Sequence, residues 1–195
     1  DAGITMSECH VFEESGRAHF MTRRFDRGKN GEKIHMQSLC AIAHFDFNMA
    51  GAYAYEQAFS VIQRLNLGYH TLEEMYRRMV FNIIARNQDD HTKNINFLME
   101  NDGTWKLSPA FDMTYSYNPS GPWTKQHQMT VNGKRDGFTT ADLLAPAKQY
   151  GIKHAGDIIN EVIEAVSKWQ GVAKENKIQK SMADRIGSEH RLSFK

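Results

Sequence analysis

Three side chains in the middle of the 195-residue sequence could together carry phosphoryl-transfer chemistry: Asp89, Asn94 and Asp112. Such a reaction needs an acceptor hydroxyl aligned with the phosphate, a group that takes its proton, and divalent metal that offsets charge on the phosphate oxygens. Magnesium prefers oxygen ligands and keeps several of its waters, so one carboxylate and one amide oxygen are sufficient protein ligands. The trio therefore predicts one carboxylate that orients the acceptor, and an amide and a second carboxylate that hold metal.

The predicted elements around the trio bring its members to one cleft. Thr71 and Glu74 form a predicted capping box at the start of a helix with a regular apolar face, and this helix leads into the polar residues 87–94. Residues 95–99 and 104–107 alternate around a Gly-containing turn, which predicts a β-hairpin. The protein-kinase catalytic core has the same order of elements: a helix, a loop with Asp-x-x-x-x-Asn, a hairpin and a second Asp.

The remaining sequence predicts a mainly α chain with small β-hairpins. We expect a protein-kinase-like C-terminal lobe over residues 27–195, with the hinge and a remnant of the small-lobe sheet over residues 1–26. A long Gly- and Pro-containing region follows Asp112, and Gly151 stops the next helix. The predicted bounds are 8–12 and 19–23 for two strands, 36–86 for a helical region, 128–131 for a short strand, and 140–150, 154–169 and 172–187 for the last helices.

Composition restricts the class of protein. The 24 basic and 23 acidic residues nearly cancel, so bulk charge gives no reason to expect direct nucleic-acid binding or a membrane surface. No apolar run reaches bilayer length, and the start of the chain lacks a signal-peptide pattern. Cys9 and Cys40 lack metal-ligand spacing and are predicted to be buried and reduced, which favours a cytoplasmic location. The first residue is Asp1 rather than Met, so we expect a fragment of a longer protein.

Several motifs resemble those of the HipA-type toxin serine/threonine kinases. They are NQDDHTKN at residues 87–94, LSPAFD at 107–112 and RFDR at 24–27, with further similarity at 33–37 and 128–136. The resemblance covers most of the chain. It implies that Asp89 is the catalytic base, that Asn94 and Asp112 are magnesium ligands, and that His91 and Lys93 lie beside the phosphates of ATP.

The same resemblance implies a hinge and several partners. Backbone groups from Arg23, Arg24 and Phe25 would meet adenine, and Asp26 would lie near the ribose. Arg23 stands where the family usually has a carboxylate, a change that is tolerable where only the backbone is used. The implied substrate is a protein, typically an aminoacyl-tRNA synthetase, whose phosphorylation arrests growth and leads to persistence. A HipB-like DNA-binding antitoxin is the implied partner.

One departure from the family concerns the phosphates. No Gly-rich loop precedes residue 26, and the first lysine is Lys29, beyond the hinge. Kinases use such a loop and a strand lysine to hold the nucleotide phosphates. We therefore expect the chain alone to be inactive, whatever the activity of the parent protein.

Other interpretations of the same residues stay open at this point. A small-molecule kinase of the aminoglycoside-phosphotransferase type shares the Asp…Asn…Asp order, and a non-catalytic module could bind only nucleotide or a partner. His91 beside two aspartates is also typical of a metal phosphohydrolase, which needs further ligands such as His127 or His154. Tyr115, Tyr117 and Trp123 could bind a peptide substrate or pin the long loop. Lys125, Lys134 and Arg135 could meet an acidic partner or simply be solvated.

Overall fold

A computed structural model describes residues 1–194 and places five strands and seven helices in that part of the chain. The strands form two antiparallel sheets, one with two strands and one with three. The prediction of several helices with small hairpins is confirmed, and the two sheets make the described chain a mixed α/β fold. In order, the elements are β1 Cys9–Glu14, β2 Arg17–Thr22, β3 His35–Ser38, α1 Leu39–Ile42, α2 Tyr55–Arg64, α3 Tyr69–Ile84, β4 Asn96–Met99, β5 Trp105–Leu107, α4 Thr140–Tyr150, α5 Ala155–Ser167, α6 Trp169–Glu175 and α7 Lys180–Glu189.

The three-stranded sheet has the order β3-β4-β5, and the loop that contains Asp89 and Asn94 leads into its central strand β4. The predicted hairpin is confirmed, since Phe97 pairs with Leu107 and Met99 with Trp105. The helical prediction for residues 36–38 is wrong, because β3 pairs with β4 from His35 to Ser38. The central strand β4 has buried apolar residues, and the backbone groups on both of its edges need hydrogen-bond partners. β5 pairs with one edge, and the partly exposed β3 pairs with the other.

Helix α3 lies in the middle of the core and packs against α2, α4 and α5. Met75 and Met79 are buried on this helix, as predicted from their spacing. The predicted capping box is wrong. The helix begins two residues earlier, after Gly68 with φ 78°, and the Thr71 hydroxyl donates to the Leu67 carbonyl at 2.8 Å.

The C-terminal helices differ from the prediction in one respect. Helix α4 ends at Gly151 in a left-handed conformation, as predicted. The predicted second and third helices form three helices, because the chain turns at Lys168 between α5 and α6 and again between α6 and α7. The predicted strand 128–131 is reduced to isolated bridges, Ala54 with Thr130 and Val131 with Lys134.

The hairpin of β1 and β2 forms a sheet of its own near the N-terminus and is exposed along both strands. The turn at Ser15 and Gly16 agrees with the prediction. Cys9 lies on this hairpin and is exposed, which contradicts its predicted burial, while Cys40 is half-buried. Between residues 1 and 194, no helix is long and apolar enough to cross a membrane.

Candidate functional site

The loop that follows α3 holds Asp89 by its backbone. The Asp89 amide donates to the hydroxyl of Ser116 at 2.9 Å, and the Asp89 carbonyl accepts from the side-chain amide of Asn94 at 3.0 Å. Ser116 is itself held, because its hydroxyl donates to Oδ1 of Asn87 at 3.1 Å. Across residues 1–194, the hydrogen bonds do not use the carboxylate of Asp89. The fixed backbone therefore carries a side chain that is free to accept a proton.

Asn94 also reaches the segment that contains Asp112. Its Nδ2 donates to Asp112 Oδ2 at 3.2 Å, although 18 residues separate the two in sequence. Asp112 has a left-handed backbone with φ 55°, and its carbonyl accepts from Asn87 Nδ2 at 3.1 Å. Strained non-glycine backbone of this kind clusters at functional sites. The structure thus brings Asp89, Asn94 and Asp112 together.

The electrostatic surroundings favour a proton on Asp89. Burial raises the pKa of this carboxyl, and the nearby Asp112 and Asp90 raise it further, while His91 acts in the opposite direction. A carboxylate with a raised pKa is a stronger base than an ordinary one, and general bases act best when their pKa approaches the working pH.

His91 and Lys93 flank the trio and share one aromatic neighbour. Phe47 meets the His91 ring edge-on with centroids 4.9 Å apart, and the Lys93 ammonium lies 3.5 Å above the Phe47 centroid. His91 Nδ1 is buried and has no hydrogen-bond partner among residues 1–194. Buried polar atoms without partners are rare, so this nitrogen is available to a ligand. The sequence did not indicate the part played by Phe47.

The residues predicted to form a hinge lie at the edge of the same site. Phe25 packs against Phe111, the residue before Asp112, with ring centroids 5.6 Å apart. Asp26 is buried and binds the Arg24 guanidinium through both oxygens, at 2.8 and 2.6 Å. The hydrogen bond from Arg24 lowers the pKa of Asp26 despite burial. Arg23 is exposed, and its amide donates to the Glu8 carbonyl at 2.9 Å.

A buried polar cluster under the loop was missed by sequence reasoning. Asp90 is buried, and its Oδ2 accepts from the Tyr55 hydroxyl at 2.9 Å and lies 2.8 Å from Nδ1 of His127. Burial and the Asp90 charge raise the pKa of Tyr55, so the hydroxyl keeps its proton and donates. Tyr55 and His127 are each at least 35 residues from Asp90 in sequence. The only signal in the sequence for a second role of this carboxylate was that Asp90 directly follows Asp89.

This cluster argues against the metal phosphohydrolase. Asp90 and His127 are buried and bonded to each other, whereas His154 is exposed and lies beside Asp157. Within residues 1–194 there is no group of three or more His, Cys, Asp or Glu side chains that could hold a metal ion. A site of two metals needs several such ligands.

The long loop after Asp112 separates into fixed and free parts. The Arg86 guanidinium lies 4.1 Å above the Tyr117 ring, and Tyr115 packs edge-on near His190, so both tyrosines pin the loop. Trp123 is 65% exposed and stays available to a partner.

Two basic side chains of the region have structural partners. Lys134 donates to Asp142 at 2.7 Å and Arg135 to the His127 carbonyl at 2.6 Å. Lys125, in contrast, is exposed. The structure therefore leaves Lys125 as the solvated member of the predicted basic set.

Comparisons with known proteins agree on one family. The model of the HipA-like C-terminal domain matches residues 1–170. A protein of Sinorhizobium fredii named "Putative kinase Y4mE" is 24% identical over 165 residues, covering 79% of this chain and 38% of the relative. Chains of known structure include HipA of Shewanella oneidensis MR-1, solved with HipB and its operator DNA. It superposes with a TM-score of 0.74 at 16% identity, over 96% of this chain and 50% of that one. The chain spans half or less of these relatives and belongs to the HipA-like C-terminal domain family.

Proposed function

We propose that this chain is the catalytic and metal-binding part of a serine/threonine protein kinase of the HipA toxin type. The observation that carries the proposal is the position of Asn94, whose side-chain amide bonds both the Asp89 backbone and the Asp112 carboxylate. A proton acceptor and two hard oxygen ligands are therefore adjacent. This is the set of protein groups that phosphoryl transfer requires on the acceptor and metal side.

The residues present fit a magnesium ion. Because Asn94 Nδ2 is committed to the Asp89 carbonyl, its Oδ1 is the atom left for metal. Asp112 is exposed and offers its carboxylate beside that amide. Asn94 and Asp112 would hold the ion, which when bound offsets the negative charge of the ATP phosphates.

The surroundings of the other residues support the roles that we propose for them. Asp89 accepts the proton of the attacking serine or threonine hydroxyl at its free carboxylate, and the bonds to its backbone fix the direction of that carboxylate. Lys93 and His91 both pack on Phe47 and face the phosphates. Lys93 supplies positive charge, and His91 supplies a hydrogen-bond partner through its Nδ1, which has no other partner among residues 1–194. Backbone groups of residues 23–25 other than the Arg23 amide, which is bonded to Glu8, receive adenine. Asp26 contacts the ribose with the lone pairs that Arg24 and Arg27 leave free.

The proposed substrate is a protein, with an aminoacyl-tRNA synthetase as the leading class and growth arrest as the consequence. The exposed Trp123 supports an acceptor surface for a polypeptide. Gln128 joins this surface to the loop before α2, because its carbonyl accepts from Gly51 at 2.8 Å and its side chain donates to the Trp123 carbonyl. A HipB-like antitoxin is the proposed partner, and the similar HipA chain was solved together with HipB.

A small-molecule kinase of the aminoglycoside type remains the alternative, and phosphate transfer separates the two. The test uses this chain and the product of the complete open reading frame, each with radiolabelled γ-phosphate ATP and Mg²⁺. With the product of the complete open reading frame, we expect label on a serine or threonine of a protein, and its loss in Asp89→Asn. Label on an aminoglycoside but on no protein would establish the alternative. Magnesium-dependent ATP binding without any transfer would identify a non-catalytic module.

A further inference from the structure

Arg191 reaches the loop of residues 87–94, the proposed catalytic loop, from the segment that follows α7. Its backbone amide donates to the Ile84 carbonyl at 2.9 Å, which anchors this segment at the end of α3. Its guanidinium donates to the Ile83 carbonyl at 2.9 Å, to Gln88 Oε1 at 3.3 Å and to Asp136. The side chain is only 11% exposed. One buried guanidinium therefore joins the end of α3, the catalytic loop and the long loop.

The fourth contact of the Arg191 guanidinium, with His127, indicates which tautomer the neutral His127 ring adopts. Arg191 Nη1 lies 3.0 Å from His127 Nε2, and a guanidinium can only donate. Nε2 is therefore the acceptor, and the proton of the neutral ring sits on Nδ1. That proton is donated to Asp90 Oδ2 at 2.8 Å. The contact of Arg191 with Nε2 thus fixes the His127 tautomer in which Nδ1 donates to the Asp90 carboxylate.

Asp90 uses this support to hold the loop from beneath. Its Oδ1 accepts from the Gln128 amide at 2.8 Å, and its Oδ2 accepts from Tyr55 as well as His127. Gln88 and Asp90 are the two sequence neighbours of Asp89. Arg191 bonds the first directly, beside Arg86, which donates to the same Gln88 oxygen at 3.1 Å, and it reaches the second through His127. One side chain therefore contributes to the support of both residues that flank Asp89.

We propose that Arg191 is a positioning residue, which with His127 sets the geometry of the catalytic loop around Asp89. Arg191 lies outside residues 1–170, so the family match assigns it no role. The proposal rests on the proposed function only where it takes Asp89 as the proton acceptor. Arg191 contacts neither the Asp89 carboxylate nor the metal ligands, and it acts through Gln88 and the His127–Asp90 pair.

The main test measures local order with hydrogen–deuterium exchange in Arg191→Ala, Arg191→Lys and the unchanged protein. Arg185→Ala on α7 is the matched control, because Arg185 is exposed and carries the same charge. We expect exchange in residues 87–94 to rise about tenfold or more in Arg191→Ala, since charged hydrogen bonds are lost there, with no rise in residues 72–82. Unchanged protection of residues 87–94, or an equal rise in α3, would overturn the proposal.

Chemical rescue and kinetics distinguish a positioning role of Arg191 from a merely structural one, because only a positioning role predicts the following changes in kcat. In the complete gene product, Arg191→Ala should lower kcat for phosphate transfer and leave the KM for ATP within about twofold. Millimolar methylguanidinium should restore part of kcat in Arg191→Ala and none in Asp89→Asn. A rise in KM with unchanged kcat, or no rescue, would contradict positioning. If the unchanged protein transfers no phosphate, the proposed function fails, while the exchange experiment still decides the role of Arg191.

A double-mutant comparison tests the route through His127. Arg191→Ala should loosen residues 87–94 less in a His127→Ala background than in the unchanged protein, because residues in one hydrogen-bond network are not additive. Fully additive effects on exchange would exclude His127 from the route. His127→Asn, whose amide can replace the Nδ1 donor to Asp90, should lie closer to the unchanged protein than His127→Ala.

Discussion

The side-chain amide of Asn94 lies 3.2 Å from Asp112 Oδ2 and joins two segments that are separated by a complete β-hairpin. The hairpin of β4 and β5 reverses the chain so that Asp112 returns to the loop from which β4 departed. Because the same amide also bonds the Asp89 carbonyl, one residue sets the spacing between the proposed proton acceptor and the proposed metal ligand.

Replacing Asp112 by Asn should remove metal-dependent ATP binding and leave the fold intact. The change removes the charge of a metal ligand, while Asn tolerates the left-handed backbone of φ 55° at this position. We expect the affinity for ATP in Mg²⁺ to fall at least about tenfold. Calorimetric titration with and without EDTA measures the effect.

Asp112→Ala is the companion variant. It loses the same charge but places a residue without a polar side chain in a strained backbone, which costs about 1 kcal/mol. Its far-ultraviolet circular dichroism should still match that of the unchanged protein. A grossly unfolded Asp112→Ala protein would show that this carboxylate supports the fold rather than the metal.

Asp89→Asn should abolish phosphate transfer and raise stability at neutral pH. Loss of a general base typically lowers the rate by about 10² to 10⁴. Since burial raises the pKa of Asp89, the folded state binds this proton more tightly than the unfolded state, and the ionised carboxylate opposes folding. The gain in melting temperature over the unchanged protein should therefore be present at pH 7, shrink as pH falls through the raised pKa of the folded state, and be gone below the unfolded pKa of about 4. A lower melting temperature at pH 7 would contradict this account.

Phe47→Ala should weaken ATP binding through Lys93 and His91. An exposed cation–π contact contributes about 0.5–1 kcal/mol and an aromatic pair a similar amount, so loss of both lowers the affinity by up to roughly fivefold to thirtyfold. Phe47→Tyr keeps the ring and should bind normally. Met49→Ala, in the same loop and 54% exposed, is the matched control. Equal affinities for Phe47→Ala and Met49→Ala would exclude the role of the ring.

Asp142 should govern the acid stability of the chain. Burial alone would raise its pKa, but hydrogen bonds from Lys134, Thr139 and Asn132 outweigh burial and hold the pKa well below its usual range. The stabilisation is present above the unfolded pKa and is lost as pH falls below about 4. Asp142→Asn should cost roughly 2 kcal/mol of unfolding free energy at pH 7 and less at pH 3. Urea unfolding at both values measures it, and an equal loss at both would refute the assignment.

The sequence by itself determined the local features of the site. The helix that leads into residues 87–94, the hairpin after it and the stop of α4 at Gly151 all depend on short-range patterns of apolar spacing and turn residues. The trio of Asp89, Asn94 and Asp112 was predicted from order and spacing, because a hairpin returns the chain to its starting edge.

Only the tertiary structure decided which distant groups hold the loop. Phe47 lies 44 residues before His91 in sequence, and Arg191 lies 64 residues after His127. No local pattern records such pairs, since burial in a shared core creates them and the requirement to satisfy buried polar groups selects them. The start of α3 was also decided this way, because the Gly68 backbone replaced the cap that Thr71 and Glu74 predicted. The sequence therefore determined the chemistry of the site, and the packing of distant segments decided its support.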